Sequence, residues 1–353
     1  MSRPLTGPRL AAALASVLLL FGTLTACGGD SAPEPAATAK DAAGDTAYPV
    51  TIPHKFGTTT IPSEPKRIVT VGLTDQDAVL ALGKVPVGTT EWLGGYPGAI
   101  GPWAKSKLGG GAVPTVLKDT GTGPQVEKIA ALKPDLILAL YSGLTKEQYE
   151  TLSKFAPVVA QPKEYNDYGI PWQELTKSVG TALNKGDQAE KLIKDVEAKF
   201  AAADTAHPEF KNSTAVMATP YEGTFVYGSQ DARSRILTDL GFKLPAGLDT
   251  AIGDKFGANI SKERTDLLDQ DAVVWIVGDP AKDPAKLYKD PSYADLGVVK
   301  NGREVFIEES GDYGNATSFV SVLSLPYVID RLVPQLTAAV DGKTATKVEQ
   351  PAG

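Results

Sequence analysis

The amino-acid sequence predicts an α/β protein of two lobes with mainly parallel sheets, which a single long α-helix joins. Residues 187–210 carry apolar side chains at helical spacing and, at about 1.5 Å per residue, are long enough to span a small domain. Segments with strand and helix character alternate on both sides of this stretch, as in parallel sheets covered by helices. The second half repeats patterns of the first, which indicates an internal duplication.

The N-terminal segment predicts export and attachment to a lipid. Two arginines precede the apolar run 11–21, which is too short to span a bilayer and is typical of a signal peptide. Small residues then lead into Cys27, the only cysteine of the chain, in an arrangement that resembles the bacterial lipoprotein box. The alternative is a secreted protein with an unpaired cysteine. The predicted segments are a signal peptide, residues 1–26, and the lipidated Cys27 with a flexible tether, residues 27–48.

Length, charge and cysteine content exclude several classes of function. With 353 residues, the chain can form two domains that each bury a core. Its net charge of −7 argues against a nucleic-acid partner. Because Cys27 is the expected lipidation site, no cysteine remains for a disulfide or a thiolate metal site.

The first lobe, residues 49–186, is predicted to alternate strands with helices after a hairpin-type lead-in. Apolar runs, typical of buried parallel strands, predict the strands 67–71, 86–89, 114–117, 135–140 and 157–160. The predicted helices are 75–82, 124–132, 146–154 and 172–183. Gly83 suits the end of the first helix and Pro124 the start of the second. This order predicts a parallel sheet with helices on both faces.

The connecting helix, residues 187–207, has signals at both ends. Asp187 is suited to cap the free N–H groups at its start, and Pro208 ends it. Leu192, Val196 and Phe200 lie on one face, and charged residues cover the other. An ordinary amphipathic surface helix is the alternative, but the flanking lobes favour a rigid connection between them.

The second lobe, residues 208–340, follows the same order with weaker signals. Predicted strands are 214–218, 272–277 and 304–307, with a loop or hairpin over 221–227. Predicted helices are 235–240, one that begins at Ser261, and a closing helix over 318–336. The tail, residues 341–353, is predicted to be disordered.

One motif occurs in both lobes at identical offsets. A glutamate followed by a basic residue begins a helix that gives way to a strand, and the matched pairs are Glu127 and Glu263, Leu132 and Leu268, and Asp135 and Asp271. Each glutamate lies in a first helical turn, where the helix dipole favours a carboxylate. That preference alone explains them as surface residues. The duplication also predicts that both project from one face and dock a partner with symmetric basic residues.

Ligands of parallel sheets bind at the carboxyl ends of strands, so the loops there define the candidate cleft. These loops are rich in aromatic residues, and the candidate cleft residues are Trp92, Tyr96, Trp103, Tyr141, Tyr221, Phe225, Arg233 and Tyr313. The alternative for any one aromatic side chain is that it anchors its own loop, and the alternative for Arg233 is that it is solvated. The pattern predicts a pocket with a few polar groups.

Signals for catalysis and for a resident metal are missing from the sequence. No G-x-S-x-G motif occurs, and the only histidines, His54 and His207, are not placed for a catalytic triad or a zinc site. We therefore predict no catalytic residues, no protein metal site and no enzymatic activity. A hydrolase on an α/β scaffold is the weaker alternative.

Three segments carry a resemblance to a known family: residues 61–69, 81–88 and, most specifically, 126–137 (VEKIAALKPDLI). They resemble the substrate-binding lipoproteins of bacterial ABC importers for ferric siderophores, haem and cobalamin. The loop 91–104 is similar to that of actinobacterial iron-siderophore members. The resemblance implies the class III fold, two Rossmann-like lobes joined by one helix.

The resemblance also implies a role and partners. A monomeric lipoprotein on the outer face of the cell membrane would capture a ferric siderophore and deliver it to ABC permease subunits for iron uptake. The chelator would hold the iron, so no cofactor is expected. Glu127 and Glu263 would meet arginines of the permease. Haem or a corrinoid is the alternative ligand, with Tyr141, Tyr221 or Tyr313 as a haem ligand.

Overall fold

The computed structural model describes residues 48–118 and 123–350, which lie within one compact unit, Asp45–Gly353. The expected signal peptide, the lipidation site Cys27 and the tether up to residue 47 lie outside the described residues.

The first lobe is a five-stranded parallel sheet preceded by an antiparallel hairpin. In chain order it contains β1 (Val50–His54), β2 (Gly57–Ile61), β3 (Ile68–Thr70), α1 (Asp75–Ala81), β4 (Gly88–Glu91), β5 (Thr115–Lys118), α2 (Val126–Ala131), β6 (Leu136–Ala139), α3 (Lys146–Leu152), β7 (Val158–Ala160) and α4 (Trp172–Ala182). The sheet order is β5-β4-β3-β6-β7, and every neighbouring pair is parallel. The inner strand β6 is buried along its whole length, which explains its continuous apolar run.

The predicted start of α2 is wrong by two residues. Pro124 lies before the helix, which begins at Val126 with Gln125 as its N-cap residue. Gln125 has ψ 76°, outside the helical region, so the first turn cannot include it or Pro124.

One long helix, α5 (Gly186–Ala206), connects the two sheets. It packs against α4 of the first lobe, and Lys185 Nζ at its start donates to the Leu82 carbonyl at 2.7 Å. The prediction that Asp187 caps the helix is wrong. Gly186 is already helical and Lys185 holds the cap position without a side-chain bond, so Asp187 lies inside the first turn. The helix ends at Ala206, and a short 3-10 helix, Pro208–Asn212, follows.

The second lobe has the same strand order as the first but two antiparallel pairings. After α5 the chain forms β8 (Ala215–Thr219), β9 (Thr224–Tyr227), α6 (Ala232–Asp239), α7 (Leu248–Ile252), β10 (Gly257–Ile260), β11 (Ala272–Val277), α8 (Pro284–Leu287), α9 (Pro291–Ala294), α10 (Gly297–Lys300), β12 (Glu304–Glu308), α11 (Asp312–Phe319) and α12 (Ser324–Val340). The sheet order is β10-β9-β8-β11-β12. Strand β11 pairs in parallel with β8 and β12, whereas β9 pairs antiparallel with β8 and β10. The predicted fold class, two mainly parallel lobes joined by one helix, is confirmed.

The repeated aspartates have the same structural role in both lobes. Asp135, just before β6, accepts hydrogen bonds from the backbone N–H groups of Lys66 and Arg67, just before β3. Asp271, just before β11, accepts a bond of 2.9 Å from the Thr214 N–H, just before β8. Each carboxylate therefore ties the starts of two adjacent parallel strands.

The predicted single closing helix is two helices. Val320 has φ 45°, a left-handed geometry that ends α11, and α12 leaves at an angle of 114°. Ser321 and Ser324 exchange backbone-to-hydroxyl hydrogen bonds across this corner. Lys199 Nζ of α5 lies 2.7 Å from Asp330 Oδ1 of α12, so the second lobe also holds the connecting helix. In the described part of the chain, no single helix is long and apolar enough to cross a membrane. Helices α11 and α12 together have the length and composition of a membrane span, but the pair is sharply bent.

The predicted disorder of the tail is wrong for residues 341–350, and residues 351–353 lie outside the described residues. Gln335 Nε2 on α12 donates to the Glu349 carbonyl at 3.1 Å. Gln350 Nε2 donates to the Phe306 carbonyl on β12 at 2.7 Å, and Val348 packs against the main core. These contacts hold the tail against the second lobe.

Candidate functional site

A cavity of about 380 Å³ lies at the carboxyl edge of the first sheet, where β3 to β6 end. Ligand pockets in proteins commonly have volumes of this order. Buried apolar side chains such as Leu117 and Ile129 form part of its wall. The polar side chains that line it are Thr90, Lys118, Gln125, Ser142, Gln148 and Tyr168.

Most of these polar groups are used by the protein itself. Thr90 Oγ1 donates to the Thr70 carbonyl at 3.1 Å, and Ser142 Oγ donates to the Ala139 carbonyl at 2.9 Å. Gln148 Oε1 accepts a hydrogen bond from the Thr145 N–H, and this bond is part of the cap of α3. Gln125 Oε1 differs, because it is buried and has no hydrogen-bond partner among the described residues. It is therefore available to accept a hydrogen bond from a ligand.

An aromatic cluster joins the two lobes beside this edge. Phe319 of α11, which is 2 % exposed, lies with its ring centroid 5.6 Å from Trp92 and 5.1 Å from Trp103. Trp92 in turn lies 6.0 Å from Tyr141, and Trp103 lies 5.9 Å from Tyr96. The structure thus brings four predicted cleft aromatics of the first lobe together around one residue of the second.

Sequence reasoning missed Phe319. It stands inside the predicted closing helix, where an apolar residue indicates packing within its own lobe. Only the corner between α11 and α12 turns this side chain toward the other lobe.

Tyr96 makes polar contacts across the lobes. Its hydroxyl donates to Asp312 Oδ1 at 2.7 Å and accepts from Asn315 Nδ2 at 2.9 Å. Burial and the bond to Asp312 raise the pKa of Tyr96 to about 12, so the hydroxyl stays protonated at neutral pH and remains a donor.

Two buried carboxylates on α1 organise the same edge. Asp75 accepts hydrogen bonds from the backbone N–H groups of Leu140 at 2.8 Å and Tyr141 at 3.0 Å, which shapes the loop after β6. Asp77 Oδ2 accepts from Trp103 Nε1 at 2.8 Å and from the Ser321 hydroxyl of the second lobe. Burial raises the pKa of both carboxyl groups to about 6. Sequence reasoning missed Asp77 and Ser321.

Arg233 forms a buried ion pair, so the alternative of a solvated arginine is wrong. Its guanidinium donates in bidentate fashion to Asp231, through Nε and Nη2, with both distances 2.8 Å. The guanidinium also lies 4.0 Å from the ring centroid of Tyr227. Burial raises the pKa of Tyr141, and the charges of Asp231 and Arg233 also act on its hydroxyl. The ring of Tyr141 contacts that of the cavity residue Tyr168, with ring centroids 5.7 Å apart.

The remaining predicted cleft residues lie elsewhere in the second lobe. Tyr221 is 61 % exposed on the loop between β8 and β9. Phe225 packs on Tyr227 within the same sheet, with ring centroids 5.3 Å apart. The Tyr313 hydroxyl donates to Gln335 Oε1 at 2.9 Å, which places it in the packing between α11 and α12. No described hydrogen bond or ring contact joins these three residues to the cavity.

Glu127 and Glu263 are both exposed, one on each lobe. Glu127 lies in the first turn of α2, as predicted from sequence. Glu263 lies in the first turn of a 3-10 helix, Lys262–Leu268, rather than of an α-helix. Within residues 48–118 and 123–350, no group of three or more His, Cys, Asp or Glu side chains is arranged to hold a metal ion.

Comparisons with known proteins agree with this architecture. The family model described as periplasmic binding protein matches residues 68–310. PiaA of Streptococcus pneumoniae, solved in complex with ferrichrome, superposes with a TM-score of 0.74 at 30 % identity, over 83 % of this chain and 99 % of that one. A periplasmic solute-binding protein of Mycobacterium smegmatis superposes with a TM-score of 0.70 at 36 % identity, over 82 % and 98 %. The iron(3+)-hydroxamate-binding protein FhuD of Bacillus subtilis is 28 % identical over 91 % of this chain and 95 % of its own.

Proposed function

The chain belongs to the periplasmic binding protein family, and we propose that it captures a ferric siderophore between its lobes and delivers it to an ABC permease. The observation that carries this proposal is the cavity of about 380 Å³ at the carboxyl edge of the first sheet, beside an aromatic cluster that joins both lobes. The similarity to PiaA, solved with ferrichrome, supports it. The chelator would hold the iron, so the protein need provide only shape, aromatic surface and a few hydrogen bonds. It would act as a binding protein rather than an enzyme.

Tryptophan fluorescence tests this proposal directly. Titration of the purified protein with a ferric siderophore should quench emission saturably, because Trp92 and Trp103 lie beside the candidate site. The variants Trp92→Phe and Trp103→Phe should each reduce the quenched fraction. Trp275→Phe is the matched control, because Trp275 is fully buried in the second lobe. Saturable binding of hemin alone, with a Soret band, would instead identify a haem receptor.

We further propose that Glu127 and Glu263 dock the permease. Both carboxylates are exposed and occur at duplicated positions, which gives the partner two matched acidic contacts. The double variant Glu127→Arg with Glu263→Arg should abolish siderophore-dependent growth while the dissociation constant for the siderophore stays the same. Glu147→Arg is the control, because Glu147 is likewise exposed in the first turn of a first-lobe helix. A loss of siderophore affinity in the double variant would refute the docking role.

The proposed localisation is the outer face of the cell membrane, through lipidation of Cys27. The support is sequence alone, since small residues and a short apolar run precede this single cysteine. Metabolic labelling with a radioactive fatty acid should mark the wild-type protein and leave Cys27→Ser unlabelled. An unlabelled wild-type protein released into the medium would refute lipid attachment.

The connecting helix predicts modest movement on binding. Helix α5 packs on α4 of the first lobe and is tied to α12 of the second, so closure about a flexible hinge is disfavoured. We expect nearly equal radii of gyration for the free and siderophore-bound protein in small-angle X-ray scattering. A large compaction on binding would refute this role of α5.

A further inference from the structure

We infer that the ligand is a ferric chelate without net negative charge, of the trihydroxamate type, and that anionic tris-catecholates are poor ligands. This inference rests on the proposed function and deepens it. Three hydroxamates carry three negative charges and neutralise Fe³⁺, whereas three catecholates leave a complex of charge about −3. A site for the second kind must provide several uncompensated cations, because burying an unpaired charge is costly.

The cavity wall offers a single cationic side chain among its described residues, and that cation is already compensated. Lys118 Nζ lies 3.7 Å from Glu91 Oε2, and its side chain is 70 % exposed. An exposed and paired ammonium attracts a distant anion only weakly, because water and salt screen it.

The buried Arg233 of the second lobe adds no net charge. Both oxygens of Asp231 are bound to Arg233, so the pair is a neutral unit. Arg235, two residues on, donates its Nη1 to the Gly169 carbonyl of the first lobe at 2.7 Å. Burial lowers the pKa of Arg235, so its surroundings stabilise the charged form poorly. Arg235 therefore connects the two lobes and does not line the cavity.

Acidic groups lie at the carboxyl edge of the second sheet, and one of them contacts the aromatic cluster. Glu222 follows β8 and Glu309 follows β12, and both are exposed. Asp312, which is also exposed, binds Tyr96 across the lobes. Asp312 would therefore repel a chelate of charge −3 bound beside the aromatic cluster, whereas a neutral chelate would meet no such repulsion.

One buried polar atom of the cavity requires a hydrogen-bond donor from the ligand, whatever the charge of the chelate. Gln125 Oε1 is buried without a partner in the described chain and requires a donor. Peptidic trihydroxamates and amide-linked catecholates both carry N–H groups that can donate to it. The iron-binding oxygens of any chelate are acceptors and cannot.

A charge-graded panel of chelates tests the inference. Quenching would be titrated with ferrichrome, which is neutral, ferrioxamine B, which is cationic, and ferric enterobactin, which is triply anionic. We expect at least one of the two hydroxamates to bind about 100-fold more tightly than ferric enterobactin, with an affinity that changes less than about twofold between low and physiological salt. Equal or tighter binding of ferric enterobactin would overturn the charge inference and leave the proposed function standing. Saturation by hemin alone, or by no chelate, would overturn the proposed function itself.

A single substitution gives an independent test. Glu91→Gln removes the partner of Lys118 and leaves one uncompensated cation at the cavity wall. The ratio of the enterobactin dissociation constant to the hydroxamate dissociation constant should fall about fivefold, the size expected of an exposed charge pair. Glu147→Gln, which removes an exposed charge on α3, should leave the ratio unchanged. A ratio that stays constant or rises in Glu91→Gln would contradict the inference.

Discussion

The buried carboxyl group of Asp77 makes the stability of the protein depend on pH in a direction that can be calculated. Burial raises its pKa from an ordinary value of 3.8 to about 6, because a charge there loses its water. The folded protein therefore binds this proton more tightly than the unfolded chain does. The stabilisation is complete below the unfolded pKa and is lost as the pH rises through the folded pKa.

The substitution Asp77→Asn isolates this effect. An asparagine oxygen still accepts from Trp103 and Ser321, but it carries no charge at any pH. At pH 5 the wild-type carboxyl group contributes about a tenfold preference for the folded state relative to pH 8, which is about 1.4 kcal/mol. We expect the stability advantage of Asp77→Asn over the wild type to be about 1.4 kcal/mol smaller at pH 5 than at pH 8.

Urea unfolding followed by far-ultraviolet circular dichroism at the two pH values measures this difference. Other titrating groups, such as Asp75 and His54, are present in both proteins and cancel in the comparison. Asp77→Ala is the control, because it leaves the buried donors of Trp103 and Ser321 unpaired. Its free energy of unfolding should fall by about 1–3 kcal/mol per donor at both pH values. A difference between Asp77→Asn and the wild type that is independent of pH, or larger at pH 5, would refute the reasoning.

Three further predictions concern other parts of the fold. Burial lowers the pKa of His54, so the wild type should lose stability as the pH falls below about 6.5. In urea unfolding, the free energy of unfolding of His54→Gln should fall less than that of the wild type over the same pH range. An equal fall in both proteins would exclude His54 as the cause. Phe319→Ala should lower the free energy of unfolding by about 3–5 kcal/mol, because it removes a buried ring. The fluorescence of Trp92 and Trp103, which contact that ring, should shift to longer wavelength. Unchanged emission would argue against the cluster. Lys133 is exposed with φ 48°, so Lys133→Gly should raise the free energy of unfolding by about 1 kcal/mol while Lys133→Ala should not. Equal free energies of unfolding for the two variants, measured by urea unfolding, would show that this residue is not strained.

Much of the fold could be predicted because its signals are local. The run of four buried residues in β6 is apolar without interruption, which only a strand covered on both faces requires. The buried positions of α5, among them Val196 and Phe200, follow the helical repeat. Boundaries failed where backbone geometry departs from the pattern, as at Val320, whose left-handed φ divides the predicted closing helix.

The candidate site was predicted only in part. The rule that ligands bind at carboxyl ends of strands selected the loops of Trp92, Trp103 and Tyr141, which the structure brings together. The same rule selected Tyr313, which the structure places against Gln335 instead. A loop position indicates that a side chain can reach the cleft, but the direction it takes depends on neighbours from distant parts of the chain.

Local sequence determined the class of the fold, the repeated topology and the aromatic character of the loops, because apolar periodicity and turn chemistry act over a few residues. Tertiary structure alone decided which polar groups lose their water. Asp77 meets Ser321 across 244 positions of sequence, and no local pattern marks either residue. Arg233 and Asp231 stand two residues apart, yet only tertiary packing buries both. Burial depends on every neighbour at once, and it sets the charge that a ligand meets.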